Sequence, residues 1–387
     1  MKNRFFALLL TVSMLLAFLP APAFAQNSRN WVFNDIQNSW ASETIIKWTE
    51  NGLLAGGGDG RFRPGDGITR AEFCAILNKI FKYTVTGQNE FSDIKSGAWY
   101  YEAVLKASHA GIISSGSSRF MPEGKVTRQD AAAIISKAFE LEPSGDTKAR
   151  SYADFDKASG DARAALATLV AKGYMAGFSD NSLKPLKNIT RAEAVKLLDN
   201  VIGNMVNVEG EVSLNEVSDN LVINSGGVRL KNTTVNGDLY LSEGIAEGEV
   251  ALDNVTVKGN VIIKGGGSII LRDSKLTRVT VKKAESPVKV DLEGKTSVSV
   301  MNVVLEGKVG VSADSGVDRL TVQKEAAGTT LAVKGTIKSL EVMAENVILN
   351  DMPVKAGTSQ AVNAGKATGG TAAHQSSGTG NTGTGSS

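Results

Sequence analysis

The sequence predicts a multidomain protein with an α-helical triple-repeat domain, an all-β domain of the parallel β-helix type, and a disordered C-terminal tail. Three observations indicate this order. A segment typical of a helix start occurs three times before residue 203, short β-branched runs recur across 204–355, and apolar residues become sparse in 356–387. A chain of 387 residues has room for two or three such domains.

The recurring segment occupies residues 68–72 and returns at 126–130 and 189–193. Each copy has a threonine that can cap a helix and, three positions later, an acidic residue that can return the hydrogen bond. An arginine follows each threonine, at the first helical position, where a cation gains nothing from the helix dipole. Each arginine could bond a nearby loop carbonyl or carboxylate. Its threefold recurrence favours an anion site made by the guanidinium and free backbone N–H groups.

The N-terminus has the features of a signal peptide, which we place at 1–25. Lys2 and Arg4 precede an apolar run over 5–19, and Ala23-Phe24-Ala25 is a small-x-small cleavage site. The apolar run is short for a membrane span, and no second long apolar stretch follows. We therefore predict an exported protein without a membrane anchor.

The composition excludes several classes of function. A net charge of +2 gives no strong electrostatic case for nucleic-acid binding. The one cysteine, Cys74, cannot form an intramolecular disulfide, and its apolar neighbours indicate a buried structural thiol. His109 and His374 have no nearby pattern of metal ligands, so we predict neither a metal site nor a cofactor.

The helix start belongs to a larger unit that repeats about every 60 residues. Each copy opens with an aromatic-x-Asp motif that contains Asp35, Asp93 or Asp154, and Trp40 and Trp99 follow in the first two copies. A glycine-containing turn and an x-x-Pro segment then precede the capped helix. One such unit has too little core to fold alone, so we expect the three to pack together.

The order of these motifs resembles the S-layer homology (SLH) family over residues 31–203. We place three modules at 31–88, 89–149 and 150–203. The resemblance implies a pseudo-threefold arrangement that binds secondary cell-wall polysaccharide non-covalently, commonly a pyruvylated glycan, in grooves between neighbouring modules.

The resemblance also implies a set of carbohydrate-binding residues. The arginines would contact the ligand's carboxylate, the aspartates would fix groove geometry or bond sugar hydroxyls, and the tryptophans would line the sugar surface. These residues are Arg70, Arg128, Arg191, Asp35, Asp93, Asp154, Trp40 and Trp99. Their chemistry leaves an alternative, in which Asp35 caps the following turn and Trp40 and Trp48 are core residues.

Copies two and three depart from the family's pattern. In copy two, Gln129-Asp130 replaces Ala-Glu and Ser114-Ser115-Gly116 replaces the glycine turn. In copy three the opening aromatic residue is Tyr152, and the tryptophan is missing. We therefore expect the groove built mainly on copy one to be the most competent.

Residues 204–355 predict strands. Alternating runs at 230–235, 252–257 and 271–276 align with one another, and later runs continue at intervals of about 20 residues. This period predicts a parallel β-helix, in which each coil stacks on the last. A β-sandwich is the alternative, although its strands would not need a fixed period.

Asn232, Asn254 and Asp273 fall at one position of successive predicted coils. We interpret them as a ladder of turn residues that satisfies backbone groups between coils. Glycoside hydrolysis needs two carboxylates at a defined separation, and the acidic residues of this region form no evident pair. We therefore predict a structural role for the ladder and no enzyme activity.

The low-complexity tail at 356–387 lacks the apolar content needed to fold, and its end is compatible with a piece of a longer surface protein. Together these features predict a non-enzymatic, secreted protein of the bacterial cell wall or S-layer. Its partner would be wall polysaccharide, and self-association into a surface layer is a further expectation. Two alternatives remain: a wall-anchored lyase or glycosidase that acts through the β-helix, and a β-helix polymer.

Overall fold

The computed structural model describes residues 32–113 and 117–363, which form a helical part followed by a β-solenoid. The predicted signal peptide at 1–25 and residues 364–387 of the predicted tail lie outside the described residues. None of the described helices has the length and apolar content that a membrane crossing requires.

The helical part has two α-helices for each predicted repeat. They are α1 (Ser42–Glu50), α2 (Arg70–Phe81), α3 (Tyr101–His109), α4 (Arg128–Ala138), α5 (Gly160–Ala171) and α6 (Arg191–Ile202). Short 3₁₀ turns at Ala149–Ser151 and Phe155–Lys157 precede α5. Each helix has an apolar face directed into the core, as Ile45 and Trp48 show in α1.

The predicted capping boxes are present at all three helix starts. At α2 the Thr69 hydroxyl accepts the Glu72 N–H at 3.1 Å, and the Glu72 carboxylate accepts the Thr69 N–H at 2.8 Å. Ile68 and Phe73 are fully buried on either side, as a hydrophobic staple requires. The helix therefore starts at Arg70 because the flanking backbone donors are satisfied there.

A closed ring of backbone hydrogen bonds joins the three helix starts. Ile68 donates to Ile189 at 3.1 Å, Ile189 to Val126 at 2.9 Å, and Val126 back to Ile68 at 3.1 Å. Each repeat thus supplies one donor and one acceptor to its neighbours. This ring is the centre of a pseudo-threefold arrangement of the modules.

The β-solenoid is a single sheet of seventeen strands wound into about eight coils. The strands are β1 (Asn204–Val206), β2 (Gly210–Val217), β3 (Leu221–Ile223), β4 (Val228–Val235), β5 (Leu239–Leu241), β6 (Glu249–Ile263), β7 (Ser268–Arg272), β8 (Lys275–Val281), β9 (Val288–Glu293), β10 (Ser297–Val303), β11 (Gly307–Val311), β12 (Gly316–Val322), β13 (Thr330–Val333), β14 (Thr336–Val342), β15 (Val347–Leu349), β16 (Met352–Val354) and β17 (Thr358–Val362).

Parallel pairing between successive coils confirms the predicted β-helix and excludes the β-sandwich. One inward column runs through Val228, Val250, Ile269, Val290 and Val309, which are all buried. The sequence alternates along each strand, so every second residue enters such a column.

The predicted ladder of turn residues is confirmed. Asn232, Asn254 and Asp273 have left-handed φ angles of 46°, 54° and 49°, and the Asn254 amide donates to Asn232 Oδ1 at 2.8 Å. Gly294 continues the ladder at φ 59°, and a Cβ on it would lie 2.2 Å from Asp273 Oδ1. Residues that adopt a left-handed φ, most of them short and polar, therefore form the corner of these coils.

Antiparallel strands cover the last coils. β16 pairs with β15, and β17 pairs with β14. β17 lies beyond residue 355, where the sequence analysis placed the start of a flexible tail, so the solenoid extends further than predicted. Strand β17 has few apolar residues, but Val362 is buried and lies opposite Ile337 of β14. The edge of β14 supplies backbone hydrogen-bond partners for β17.

The two parts share one apolar cluster. Val222, Tyr240 and Ile262 form an outward-facing column of the first coils, and all three are buried against the helices. The Tyr240 hydroxyl donates to the Phe139 carbonyl at 2.9 Å. The same column becomes polar at Thr280, on a later coil that the apolar contact does not include.

Candidate functional site

Each predicted aspartate clamps the x-x-Pro segment of its own module. The Asp35 carboxylate accepts the backbone N–H groups of Phe62 at 2.8 Å and Arg63 at 2.7 Å. The equivalent bonds, between 2.7 and 2.9 Å, join Asp93 to Phe120 and Met121, and Asp154 to Leu183 and Lys184. Burial raises the pKa of Asp35, but these backbone donors lower it more, so the net pKa lies below the ordinary value. The aspartates thus fix loop geometry, while a direct contact with a sugar stays a prediction.

Each predicted arginine docks onto the clamped segment of a neighbouring module. Arg70 Nε donates to the Phe120 carbonyl at 2.8 Å, and its Cζ lies 4.8 Å from the centre of the Phe120 ring. Arg191 makes the same contacts with Phe62, at 2.8 and 4.7 Å. Arg128 Nε donates to the carbonyl of the equivalent residue in module three at 2.8 Å. The three arginines therefore connect the modules in a cycle.

The backbone N–H groups at the helix starts are not available to an anion. The N–H of Arg70 donates to Gly124 at 2.9 Å, and that of Ala71 donates to Pro122 at 3.0 Å. The N–H of Glu72 is bonded to the capping threonine, and the other two helix starts have equivalent bonds. The part of the sequence hypothesis that assigned free N–H groups to an anion is therefore wrong, because the neighbouring module's loop already occupies them.

The three arginines differ in solvent exposure. Arg128 is only 6% exposed, its Nη2 donates to the Ala176 carbonyl at 2.8 Å, and burial lowers its pKa. Arg191 is partly exposed and forms an ion pair with Glu72. Arg70 is also partly exposed, and no carboxylate of residues 32–113 or 117–363 pairs with it. Contact with a ligand carboxylate stays a prediction for all three.

One cavity of about 650 Å³ brings residues of all three modules together. The glycine turn of module one forms one side, Trp99 of module two forms another, and Arg191 of module three lies beside them. Trp99 is 66% exposed. The charged residues of the cavity are Arg63, Lys79, Lys125, Arg191, Asp66, Glu72 and Glu102. We call this cavity the Trp99 groove.

The residues around the glycine turn leave no space for side chains at Gly56 and Gly57. A Cβ on Gly56 would lie 2.4 Å from the ring of Phe33, the aromatic residue that opens module one. A Cβ on Gly57 would lie 2.2 Å from the guanidinium of Arg63. The two glycines thus leave room for the opening aromatic ring and for a cation at the edge of the groove.

Module three carries Phe178 at the position of Gly57, and its ring changes the equivalent interface. The ring centre lies 4.8 Å from Arg128 Cζ and 4.4 Å from Lys184 Nζ. Leu183 replaces the phenylalanine on which the other two arginines stack, so Phe178 supplies the missing ring. Trp40, which is 68% exposed, belongs to this interface by the pseudo-threefold relation.

The alternative roles of the tryptophans and Cys74 can now be assigned. Trp48 is a core residue, and its indole N–H donates to Asp199 at 3.0 Å, whereas Trp40 and Trp99 are exposed. Cys74 is buried, and burial raises the pKa of its thiol to about 12, which confirms the predicted structural role. Across the described ranges, no three or more His, Cys, Asp and Glu side chains come together in a group that could hold a metal ion.

Comparison with known proteins agrees with this architecture. The S-layer homology domain matches residues 32–74, 90–132 and 151–195. The "Surface-layer 125 kDa protein" of Lysinibacillus sphaericus is 30% identical over 89% of this chain and 27% of its own length. The "Amylopullulanase" of Thermoanaerobacterium thermosulfurigenes is 32% identical over 43% of this chain and 9% of its own. An "S-layer protein" of Bacillus licheniformis is 26% identical over 65% of this chain and 27% of its own length.

The fold, the three clamped modules and these similarities define a secreted bacterial cell-surface protein. It carries three S-layer homology modules followed by a β-solenoid. The chain spans less than a third of the length of each of the three relatives.

Proposed function

We propose that this protein is a non-enzymatic cell-surface protein that binds secondary cell-wall polysaccharide non-covalently through the Trp99 groove. The observation that carries the proposal is an exposed tryptophan beside four cationic side chains in one cavity of about 650 Å³. Aromatic rings provide apolar surface for sugar faces, and guanidinium groups bind carboxylates.

A pyruvylated glycan fits this chemistry. Its ketal carboxylate would lie against the exposed edge of Arg191, with Lys125 and Arg63 close by, while a sugar ring covers Trp99. Arg70 is the second accessible arginine of the cycle. Arg128 and the three aspartates would act indirectly, since they hold the loops that form the groove.

The absence of enzyme activity is also part of the proposal. The match to the surface-layer relative from Lysinibacillus sphaericus covers 89% of this chain, so it includes the solenoid as well as the helical part. The amylopullulanase match covers only 43% of this chain. On the solenoid, Arg272 lies between Asp253 and Glu293 at 3.0 and 2.7 Å, so these acidic residues form ion pairs along the coils. Such pairing favours a structural use of the solenoid, as a spacer or a display platform, over a pair of catalytic carboxylates.

Self-association into a surface layer is compatible with this role. End-to-end stacking of β-helices is a weaker candidate, because antiparallel β16 and β17 cover the edges of the last coils.

The test is binding to purified wall sacculi, with Trp99→Ala as the variant and Trp40→Ala as its matched control. Both tryptophans are similarly exposed, but in the interface to which Trp40 belongs by the pseudo-threefold relation Phe178 lies against Arg128. We expect Trp99→Ala to weaken binding about tenfold or more, because burial of a large apolar side chain contributes about 1.5–3 kcal/mol and about 1.4 kcal/mol corresponds to a factor of ten. Removal of pyruvate from the sacculi should weaken the wild type similarly. Equal binding by both variants and the wild type would refute the role of the Trp99 groove.

A further inference from the structure

A second cavity, of about 570 Å³, lies where the helical part meets the first coils of the solenoid. It shares Leu53, Asn78 and Lys79 with the Trp99 groove, so the two cavities are adjacent. Lys82 and Lys106 also line it, and the solenoid contributes Asn207 and Asn224. We call it the lysine cavity.

The lysine cavity has unbalanced positive charge. Its described lining includes Lys79, Lys82 and Lys106 and no acidic residue, and none of these lysines pairs with a carboxylate of the described chain. Elsewhere at the same junction the charges are paired, since Glu140 binds Lys264 at 2.7 Å and Lys282 at 3.0 Å. Three cations kept close together repel one another unless an anion binds between them.

The walls of this cavity are held in place by both parts of the protein. Lys82 ends helix α2 with a left-handed φ of 51°, and its stem packs on Gly244, where an added Cβ would lie 2.7 Å from Lys82 Cβ. Asn224 donates to the Ile80 carbonyl at 2.7 Å, and Asn207 donates to the Asn51 carbonyl at 3.3 Å. The cavity therefore requires the solenoid and the helices together.

Two amide oxygens of the lining residues have no hydrogen-bond partner. They are Asn78 Oδ1 and Asn224 Oδ1, and Asn224 is fully buried. A buried acceptor without a donor costs free energy, and each unpaired group calls for an explanation. Both oxygens are enclosed by protein atoms, so the three lysines that line the cavity are the groups that a ligand with an acidic substituent would meet.

We propose that the lysine cavity is a second subsite for the glycan chain that occupies the Trp99 groove, and that it takes a sugar bearing a carboxylate or phosphate group. This inference rests on the proposed function of the Trp99 groove. The glycan would pass over Lys79, which lines both cavities, and reach the first coil of the solenoid. The solenoid is then part of the binding site as well as a spacer.

The test uses the full chain and wall polysaccharide that is released from the producing bacterium by enzymatic digestion of the peptidoglycan at neutral pH, which leaves acid-labile ketals intact. The polysaccharide is separated into a short fraction of one repeating unit and a long fraction of several, and each is titrated calorimetrically. The variant is Lys82→Gln/Lys106→Gln. Its matched control is Lys148→Gln/Lys172→Gln, two exposed lysines that line neither cavity.

We expect the long fraction to bind the wild type and the control equally, and to bind the cavity variant about tenfold more weakly, which corresponds to about 1.4 kcal/mol. The short fraction, which fills only the Trp99 groove, should bind all three proteins alike. Equal binding of the long fraction to wild type and cavity variant would overturn the second subsite and leave the Trp99 groove in place. Failure of the wild type to bind either fraction would overturn both proposals.

Carboxyl-reduced and dephosphorylated long fractions identify the acidic group. Because carboxyl reduction also removes the ketal carboxylate proposed for the Trp99 groove, we compare the ratio of wild-type to variant affinity at concentrations where the wild type still binds. The treatment that brings this ratio to one reveals the substituent that the lysines bind. A difference that survives both treatments would overturn the proposed anionic subsite. Identical melting temperatures of the three proteins would show that any loss of affinity is not a loss of folding.

Discussion

Replacing Asp35 with alanine tests whether the aspartate clamps hold the modules together. The substitution removes the acceptor for the Phe62 and Arg63 N–H groups, which bond to the carboxylate at 2.8 and 2.7 Å. A hydrogen bond to a charged group contributes about 1.5–3 kcal/mol. Because Asp35 is partly exposed, water can replace some of this loss, so we take the lower end of that range and expect the free energy of unfolding to fall by about 3 kcal/mol for the two bonds.

The pH dependence of the loss identifies its cause. The folded-state pKa of Asp35 lies below the unfolded value of 3.8, so the carboxylate contributes stability at pH values above 3.8 and loses it as the pH falls through the folded-state pKa. The difference in unfolding free energy between wild type and Asp35→Ala should therefore be constant near neutral pH and shrink below pH 3.8. Urea denaturation followed by circular dichroism, repeated across this pH range, measures it.

Asp59→Ala is the matched control, since Asp59 pairs with Arg63 at the exposed surface and accepts one exposed backbone N–H, that of Arg61, at 3.2 Å. Exposed pairs of this kind contribute little, so its stability should be nearly that of the wild type. The clamp also holds the Phe62 carbonyl that accepts the Arg191 guanidinium, so Asp35→Ala should weaken sacculus binding as well. A change in stability below about 1 kcal/mol, or one equal to that of Asp59→Ala, would refute this account.

Two further predictions concern the solenoid. Tyr240→Phe leaves the Phe139 carbonyl without its donor and should lower the free energy of unfolding by about 1–3 kcal/mol. In thermal unfolding, we expect the helical part and the solenoid to shift together. Separate transitions of the two parts would contradict a shared core. Gly294→Ala places a Cβ against Asp273 at positive φ and should destabilise the solenoid by about 1 kcal/mol or more. Gly316→Ala, where the nearest atom is 3.7 Å away, should be tolerated, and equal melting temperatures for the two glycine variants would disprove the ladder argument.

The sequence was sufficient for features that depend on local chemistry. The threonine caps at Thr69, Thr127 and Thr190 could be read directly, because a capping box needs only two residues three positions apart. The corner at Asn254 was also readable, since the period of the solenoid aligned it with similar residues of neighbouring coils. In both cases the information lies within one repeat or recurs at a fixed interval.

Features that depend on contact between distant segments could not be predicted from the sequence. The occupied N–H groups of the helix starts could not be foreseen, because their acceptors lie in a neighbouring module. The burial of Tyr240 against Phe139 is similar: an aromatic residue at an outward strand position reads as exposed until the helices that cover it are known. One signal was available, since Val222 and Ile262 occupy the same outward column, and three apolar residues in that column indicate a covered face.

The differences between the modules show which interactions must be kept in all three and which in one. Leu183 removes the ring under Arg128, and Phe178 restores a ring at 4.8 Å, so the docking of the arginine persists although its partner has moved. The same Phe178 fills the turn that Gly57 leaves open in module one. A closed cycle fails if any one of its three contacts is lost, whereas a glycan can be held by one open groove, so the cycle constrains every module and the groove constrains one.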